Sequence, residues 1–442
     1  KGDYPQVKTV WKREAWMILG NVMRRRGFAL IATVVVALVL APCQIRAQIQ
    51  KEDSKAAANE MAPDRAFLEW LDALRAEARR RGISESTLNA ALDDIAPVMR
   101  VIELDRNQSE FTQTFWTYLR KQVNDHRIKR GRALLLKHLD LLNNIHAEYG
   151  VPPRYLIALW GLETTFGDYL GSFHVIEALA TLAYDQRRAQ FFRTELFNAL
   201  KIVEEGHISA DAMRGSWAGA MGHMQFIPST FTGHAVDYNG DGRKDIWGSL
   251  PDAFASAANF LCNIGWQPEQ IWGREVRLPE DFNLILATMD MKKTLAEWSS
   301  LGVRRSDWTA LPQADMAGSI VLPQGYKGPA FLVYDNFRAI LRWNRSINYA
   351  ISVGYLADRI AGLPQIANGQ DAEHEPLSRE EAKEMQQLLN LLGFDAGPED
   401  GLLGPYTSSA IRAFQNEHSL PLDGYPSPSL LKRLRAHAGA IP

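Results

Sequence analysis

The 442-residue sequence predicts a mainly α-helical protein carrying one small β lobe, and three observations predict it. Apolar residues recur at spacings of three and four through most of 65–260. Between 271 and 334 the texture changes to short apolar runs, the first two closed by proline. A polar stretch at 363–376 then sets off a last helical module. With 46% hydrophobic and 23% charged residues, the chain is long and apolar enough for two or more folded units.

In chain order, residues 1–47 form an N-terminal extension and signal segment. They hold eight basic residues against Asp3 and Glu14, so the rest of the chain carries −8 of a net charge of −2. That balance argues against a nucleic-acid partner. Arg24, Arg25 and Arg26 precede an apolar run from Phe28 to Pro42, and the small residue Ala47 follows, which is the pattern of a secretory signal starting at Met23 or Met17. Cleavage after Ala47 competes with lipid attachment at Cys43 in "LAPC" and with retention as a short anchor, so membrane attachment stays open. Cys43 and Cys262 are the only cysteines, and once Cys43 is removed or lipidated no internal disulfide is available. Cys262, in "AANFLCNIGW", is expected to be a small buried apolar residue.

The main domain is expected over 48–362. Its stretches "AFLEWLDALRAEARRRG", "LLLKHLDLLNNIHAEYG", "RYLIALWGLETTFG" and "RTELFNALKIVEEG" read as helices stopped at glycine. "REVRLP", "GSIVLP" and "AFLVY" read as strands, and helical periodicity resumes at Phe337 and runs on through "RAILRWNRSINYAISVGYLADRIAG". The linker is 363–376, and the C-terminal module spans 377–437.

Glu163 is the one charge in "ALWGLETTFG". Helical spacing gives it Leu159, Trp160, Phe166 and Gly167 as neighbours, a mostly apolar stripe. Desolvation there would raise the carboxyl's pKa, as a general acid requires; a buried pair with Arg187 or Arg188 is the alternative. In "GSWAGAMGHMQFIPSTF", residues 215–231, glycines permit close backbone approach while Ser216, Gln225 and Ser229 offer hydrogen bonds, and a helix is expected near Pro228.

Taken together, these stretches resemble the B-type lytic murein transglycosylases, which share "G-x-E-T-x-x-G" and, downstream, "S-x-A-G-A-M-G-x-x-Q-F-x-P-S". The likeness covers approximately 67–360 and includes "RWNRSINYAISVG" at 342–354. It implies a lysozyme-like helical domain that cleaves the β-1,4 bond between N-acetylmuramic acid and N-acetylglucosamine in peptidoglycan, leaving 1,6-anhydromuramoyl ends. It further implies Glu163 as catalytic acid/base, with Ser216, Gln225, Asn344 and Tyr349 on the cleft wall and Arg187 and Arg188 near the sugar or peptide path. Trp343 stands where the family pattern often has tyrosine, so an indole that can stack on a sugar face takes the place of a hydroxyl contact. Asp168 and Asp185 are the nearest candidates for the second carboxylate that an ordinary glycosidase needs.

"DYNGDGRKDIWG", residues 237–248, places Asp237, Asn239, Asp241, Arg243 (through its carbonyl position) and Asp245 with the spacing of an EF-hand loop. Gly248 replaces the closing glutamate, which leaves Asp252 to close a structural calcium site. No cofactor is required for the chemistry. The C-terminal module, with "LLNLLGF", "DGLLGPYTSSAIRAFQ" and "LPLDG", resembles a three-helix peptidoglycan-binding domain. The partner implied is the glycan strand, and the location a periplasmic or outer-membrane-associated one after export. A muramidase using water and a noncatalytic murein-binding scaffold remain as rivals.

Overall fold

The computed structural model describes residues 65–106, 113–369 and 375–439; the basic segment, its apolar run and Cys43 lie outside them. Helices α1 (Arg65–Arg80), α2 (Glu85–Leu92), α3 (Met99–Arg106), α4 (Phe115–Gln122), α5 (Asp125–Lys137) and α6 (Leu139–Tyr149) lead to α7 (Pro153–Thr164). From Tyr155 to Gly161 every residue of α7 is buried, so this helix is hydrophobic all round and lies within the core. It packs against α5, α6 and a later helix, α14 (Ile347–Ile360). Local chemistry sets the helix ends. Ser84, Thr114 and Asn124 each cap a helix start by accepting a backbone N–H, and Gly150 closes α6 in the left-handed conformation.

After α7, strand β1 (Phe173–His174) pairs antiparallel with β2 (Arg214–Gly215), with α8 (Val175–Tyr184) and α9 (Ala189–Glu204) between them. The expected helix at Pro228 is α10 (Pro228–His234), followed by α11 (Leu250–Asn263). Cys262 is exposed rather than buried, because α11 turns Phe254, Ala258 and Leu261 inward and leaves position 262 on the solvent side. Among the described residues no helix is long and apolar enough to cross a membrane.

The β lobe is an antiparallel sheet of β3 (Gly273–Arg277), β4 (Lys293–Thr294), β5 (Arg304–Arg305), β6 (Ala317–Val321) and β7 (Ala330–Val333), in the order β4-β6-β7-β3-β5. It has its own core around Trp298, which sits on α12 (Leu295–Ser300) and donates its indole N–H to the Gly318 carbonyl at 2.9 Å. Trp272, at the lobe's entry, donates to Asp358 of α14 at 2.8 Å, and burial pushes that carboxyl up to about 6.

Two expectations change here. The helix resuming near Phe337 is interrupted: α13 (Asp335–Trp343) ends, Asn344 is extended, and Ser346 caps α14 by accepting from the Tyr349 N–H. The first half of the polar stretch is also docked rather than a free tether. Ile366 is buried, Trp116 donates to the Gly369 carbonyl at 2.7 Å, and the Glu275 carboxylate accepts from the Ala367 and Asn368 N–H groups. In the C-terminal module α15 (Arg379–Leu391), α16 (Pro405–Glu417) and α17 (Pro428–Ala438) pack on Met385, Ile411, Phe414 and Leu434. Tyr326 of the β lobe donates its N–H to Asp423, and Arg379 donates to the Arg106 carbonyl, so the module also bonds to the domain before it.

Candidate active site

Helix α7 stops one residue after Glu163. Thr165, Phe166 and Gly167 are consecutive left-handed residues (φ 52°, 61° and 84°), a costly sequence of conformations for the first two. Bonds on several sides hold this exit: Phe166 N–H reaches the Trp160 carbonyl at 3.1 Å, and Thr164 Oγ1 accepts from Gly167 N–H and donates to the His223 carbonyl. The sharp turn removes Phe166 from the helical stripe on which the sequence placed it. Its ring folds back onto Trp160, 5.8 Å away and edge-on.

What surrounds the half-buried Glu163 comes instead from the break between α13 and α14. Trp343 Nε1 donates to Glu163 Oε1 at 2.9 Å, and the Tyr349 hydroxyl donates to the same oxygen. The Trp343 ring is wedged between Phe226 and Phe260, with centroids 5.4 and 5.3 Å away. Sequence reasoning expected Trp343 to stack on a sugar; its bond to the acid, and the part played by Phe226 and Phe260, depend on contacts across more than eighty residues and carry no local signal.

The loop between β2 and α10 brings Ser216 and Gln225 alongside the exit from α7. A side chain on Gly171 would run into Gly215, about 2.1 Å away, so only glycine lets the two loops approach this closely. Ser216 Oγ accepts from Ala218 and Ala220 N–H groups, while Gln225, itself left-handed at φ 48°, donates its amide to the carbonyls of Leu170 and Gly222. His223, which the sequence reading missed, joins the loops: it accepts the Trp160 indole N–H at Nδ1 (3.1 Å), and its own N–H reaches the Ile246 carbonyl. Burial holds this imidazole below its ordinary value, against the opposing charge of Asp245, which keeps Nδ1 an acceptor. Asn344 accepts from Ser346 N–H at the helix break beside Trp343.

Arg187 and Arg188 do not pair with Glu163. Both bind Asp105, a nearly fully buried carboxylate, and Arg187 also donates to the Asp105 carbonyl. The candidate second carboxylates are engaged as well. Asp168 is bound by Arg130, which holds its carboxyl below the usual range, and Asp185 is bound by Arg106.

The aspartate-rich loop is ordered by bonds from its own backbone N–H groups. Asp237 accepts from Gly240, Asp241 and Gly242 N–H groups, Asp241 from Arg243 N–H, and Asp245 from Trp247 and Gly248 N–H groups. Fully buried Asp252 is bonded through both oxygens to the N–H groups of Tyr238, Asn239 and Asp245. Among the described residues no three His, Cys, Asp or Glu side chains converge as a metal group. Each of these carboxylates keeps lone pairs beyond these bonds, and Asp237, Asn239, Asp241 and Asp245 keep the EF-hand spacing.

A family model for the transglycosylase SLT domain matches residues 66–358, and one for a putative peptidoglycan binding domain matches 378–434. The chain belongs to the B-type lytic murein transglycosylase family. SltB3 from Pseudomonas aeruginosa, solved in complex with NAG-anhNAM-pentapeptide, is 45% identical, with 84% of this chain and 100% of that one covered and a TM-score of 0.80. Membrane-bound lytic murein transglycosylase B of Escherichia coli K12 is 28% identical over 297 residues, 64% of this chain and 80% of that protein. Escherichia coli Slt35, solved in complex with calcium, is 26% identical over 68% of this chain and 96% of its own, with a TM-score of 0.57. This transglycosylase thus pairs a catalytic fold with a wall-binding module.

Proposed function

We propose that the enzyme cleaves the β-1,4 bond between N-acetylmuramic acid and N-acetylglucosamine in peptidoglycan by intramolecular transglycosylation, with Glu163 as its single acid/base. The observation that carries this is the bonding of one oxygen, Glu163 Oε1, by two side-chain donors from distant elements, Trp343 and Tyr349. These donors fix the carboxyl's rotation, so that Oε2 carries the proton. Glu163 gives that proton to the glycosidic oxygen as its bond to the muramoyl anomeric carbon breaks. The carboxylate then takes the proton of the muramoyl 6-hydroxyl as that oxygen bonds to the same carbon, which restores the acid and consumes no water. The arginine pairing of Asp168 and Asp185 supports a mechanism without a second carboxylate. Ser216 and Gln225, on the loop locked beside Glu163, and Asn344 are assigned to hold the sugar, and Trp343 and Tyr349 to position the acid. Arg187 and Arg188 are assigned to hold Asp105.

The substrate lies outside the cytoplasm, and the signal-like run from Arg24 to Ala47 supports export to the cell envelope. Digestion of purified sacculi in water enriched in oxygen-18 tests the reaction. The products are expected to be anhydro-ended and free of the label; labelled reducing ends would make the enzyme a hydrolase.

A further inference from the structure

The edge strand of the β lobe gathers three unfavourable features in one place. Trp308 is 57% exposed, with a large apolar ring in water. Its backbone is left-handed at φ 65°, a conformation that bulky residues rarely adopt. Beside it, Arg277 of β3 and Arg304 of β5 are direct cross-strand partners, so like charges face each other. None of these helps the lobe fold, whose core lies on the other side around Trp298.

The tip is nonetheless firmly built. Arg305 N–H reaches the Thr309 carbonyl and Trp308 N–H the Arg305 carbonyl, both at 2.9 Å, and Asp307 accepts from the Thr309 N–H and hydroxyl. Arg277 donates to the Ser306 carbonyl and stands 5.6 Å from the indole centroid. A strained conformation that its surroundings over-determine points to function. β5 is also the outermost strand of the sheet, so no neighbouring strand covers this edge.

We propose that this edge is an accessory peptidoglycan-binding site in the β lobe. The indole face takes the apolar face of an N-acetylated pyranose ring, and Arg277 and its cross-strand partner Arg304 take a carboxylate of the peptide stem. Charge selects this occupant: Arg277, Arg304 and Arg305 gather along the paired ends of β3 and β5, and peptidoglycan offers repeated carboxylates along a chain of flat sugar rings. The inference rests on the substrate reading above. It adds a second point of attachment to the C-terminal module, so that the two together hold the strand more firmly than either does.

The test is sedimentation of the full chain with purified sacculi in a Glu163→Gln background, which leaves the polymer intact. Trp308→Gly suits the left-handed backbone and is expected to fold while weakening binding threefold or more; Trp308→Phe should retain most of it. Arg277→Gln should weaken binding to intact sacculi but not to glycan stripped of its peptides. With Glu163 intact, Trp308→Gly should turn over a short soluble glycan at the parent rate. Parent-level sacculus binding by Trp308→Gly would overturn the proposal and leave a protein partner as the reading of the exposed indole. Equal loss on the short soluble glycan would overturn it too, by placing Trp308 in the cleft. A parent that neither binds nor cleaves sacculi would refute the underlying substrate reading instead.

Discussion

The pocket of Glu163 and the aspartate-rich loop at 237–252 are both conspicuous for acids, yet the structure treats those acids in opposite ways. In the loop, the carboxylates of Asp237, Asp241, Asp245 and Asp252 are met by backbone N–H groups, most of them a few residues away. In the pocket, one carboxylate is met by Trp343 and Tyr349, side chains 180 and 186 residues distant in sequence. Local satisfaction builds a turn and can be supplied by almost any Asn-Gly or Asp-Gly stretch. Long-range satisfaction by two donors fixes the orientation of a reactive group and requires the whole fold.

This contrast can be broken or sharpened by substitution. Glu163→Gln should reduce turnover of sacculi by about a thousandfold or more, as expected for loss of an acid/base that serves twice, with thermal unfolding nearly unchanged. Tyr349→Phe deletes one donor and keeps the ring; a fall in kcat of about tenfold to a hundredfold with little change in KM would match loss of a group that orients the acid. In the loop the effect should fall on stability. Asp252→Ala strands three part-buried N–H groups and should cost about 2 kcal/mol in denaturant unfolding, whereas a loss of activity without a loss of stability would contradict the division drawn here.

A smaller effect concerns pH. Asp358 has its carboxyl raised from 3.8 to about 6 by burial, so the folded state holds its proton where the unfolded chain has released it. Its contribution is therefore fully favourable below about pH 4 and is lost as pH rises through about 6. Asp358→Asn keeps an acceptor for Trp272 and should stabilise the protein at pH 8 by on the order of 1 kcal/mol, with no gain at pH 3.5. Smallest of all, because the loop's carboxylates are already met by its own backbone N–H groups, calcium should move the melting temperature by no more than about 1 °C relative to a chelator; a rise of several degrees would establish the EF-hand reading.

Much of this architecture was legible in the chain. The helices, the three main strands of the lobe and the helix start at Pro228 follow from periodicity, proline and glycine, which act within a few residues. Glu163 was legible because a lone charge in an apolar helix is locally anomalous. Trp343 and Tyr349 were placed at the site by the family resemblance, but their bonds to Glu163 were not legible, since nothing near residue 163 announces them, and the spacing argument that used Phe166 failed when three left-handed residues ended the helix. Arg187 and Arg188 pair with Asp105 rather than with Glu163, and nothing near them in sequence announces an acid some eighty residues earlier. The turn at 237–248 was legible from its Asn-Gly and Asp-Gly pairs, and its carboxylates accept backbone N–H groups two to five residues on.

The central claim is that Glu163 alone carries the proton in both halves of the reaction. The most direct measurement is liquid chromatography with mass detection of muropeptides released from purified sacculi by the parent enzyme and by Glu163→Gln. The account predicts products one water lighter than hydrolytic ones from the parent, and none from the variant. Anhydro products at a comparable rate from Glu163→Gln would contradict it.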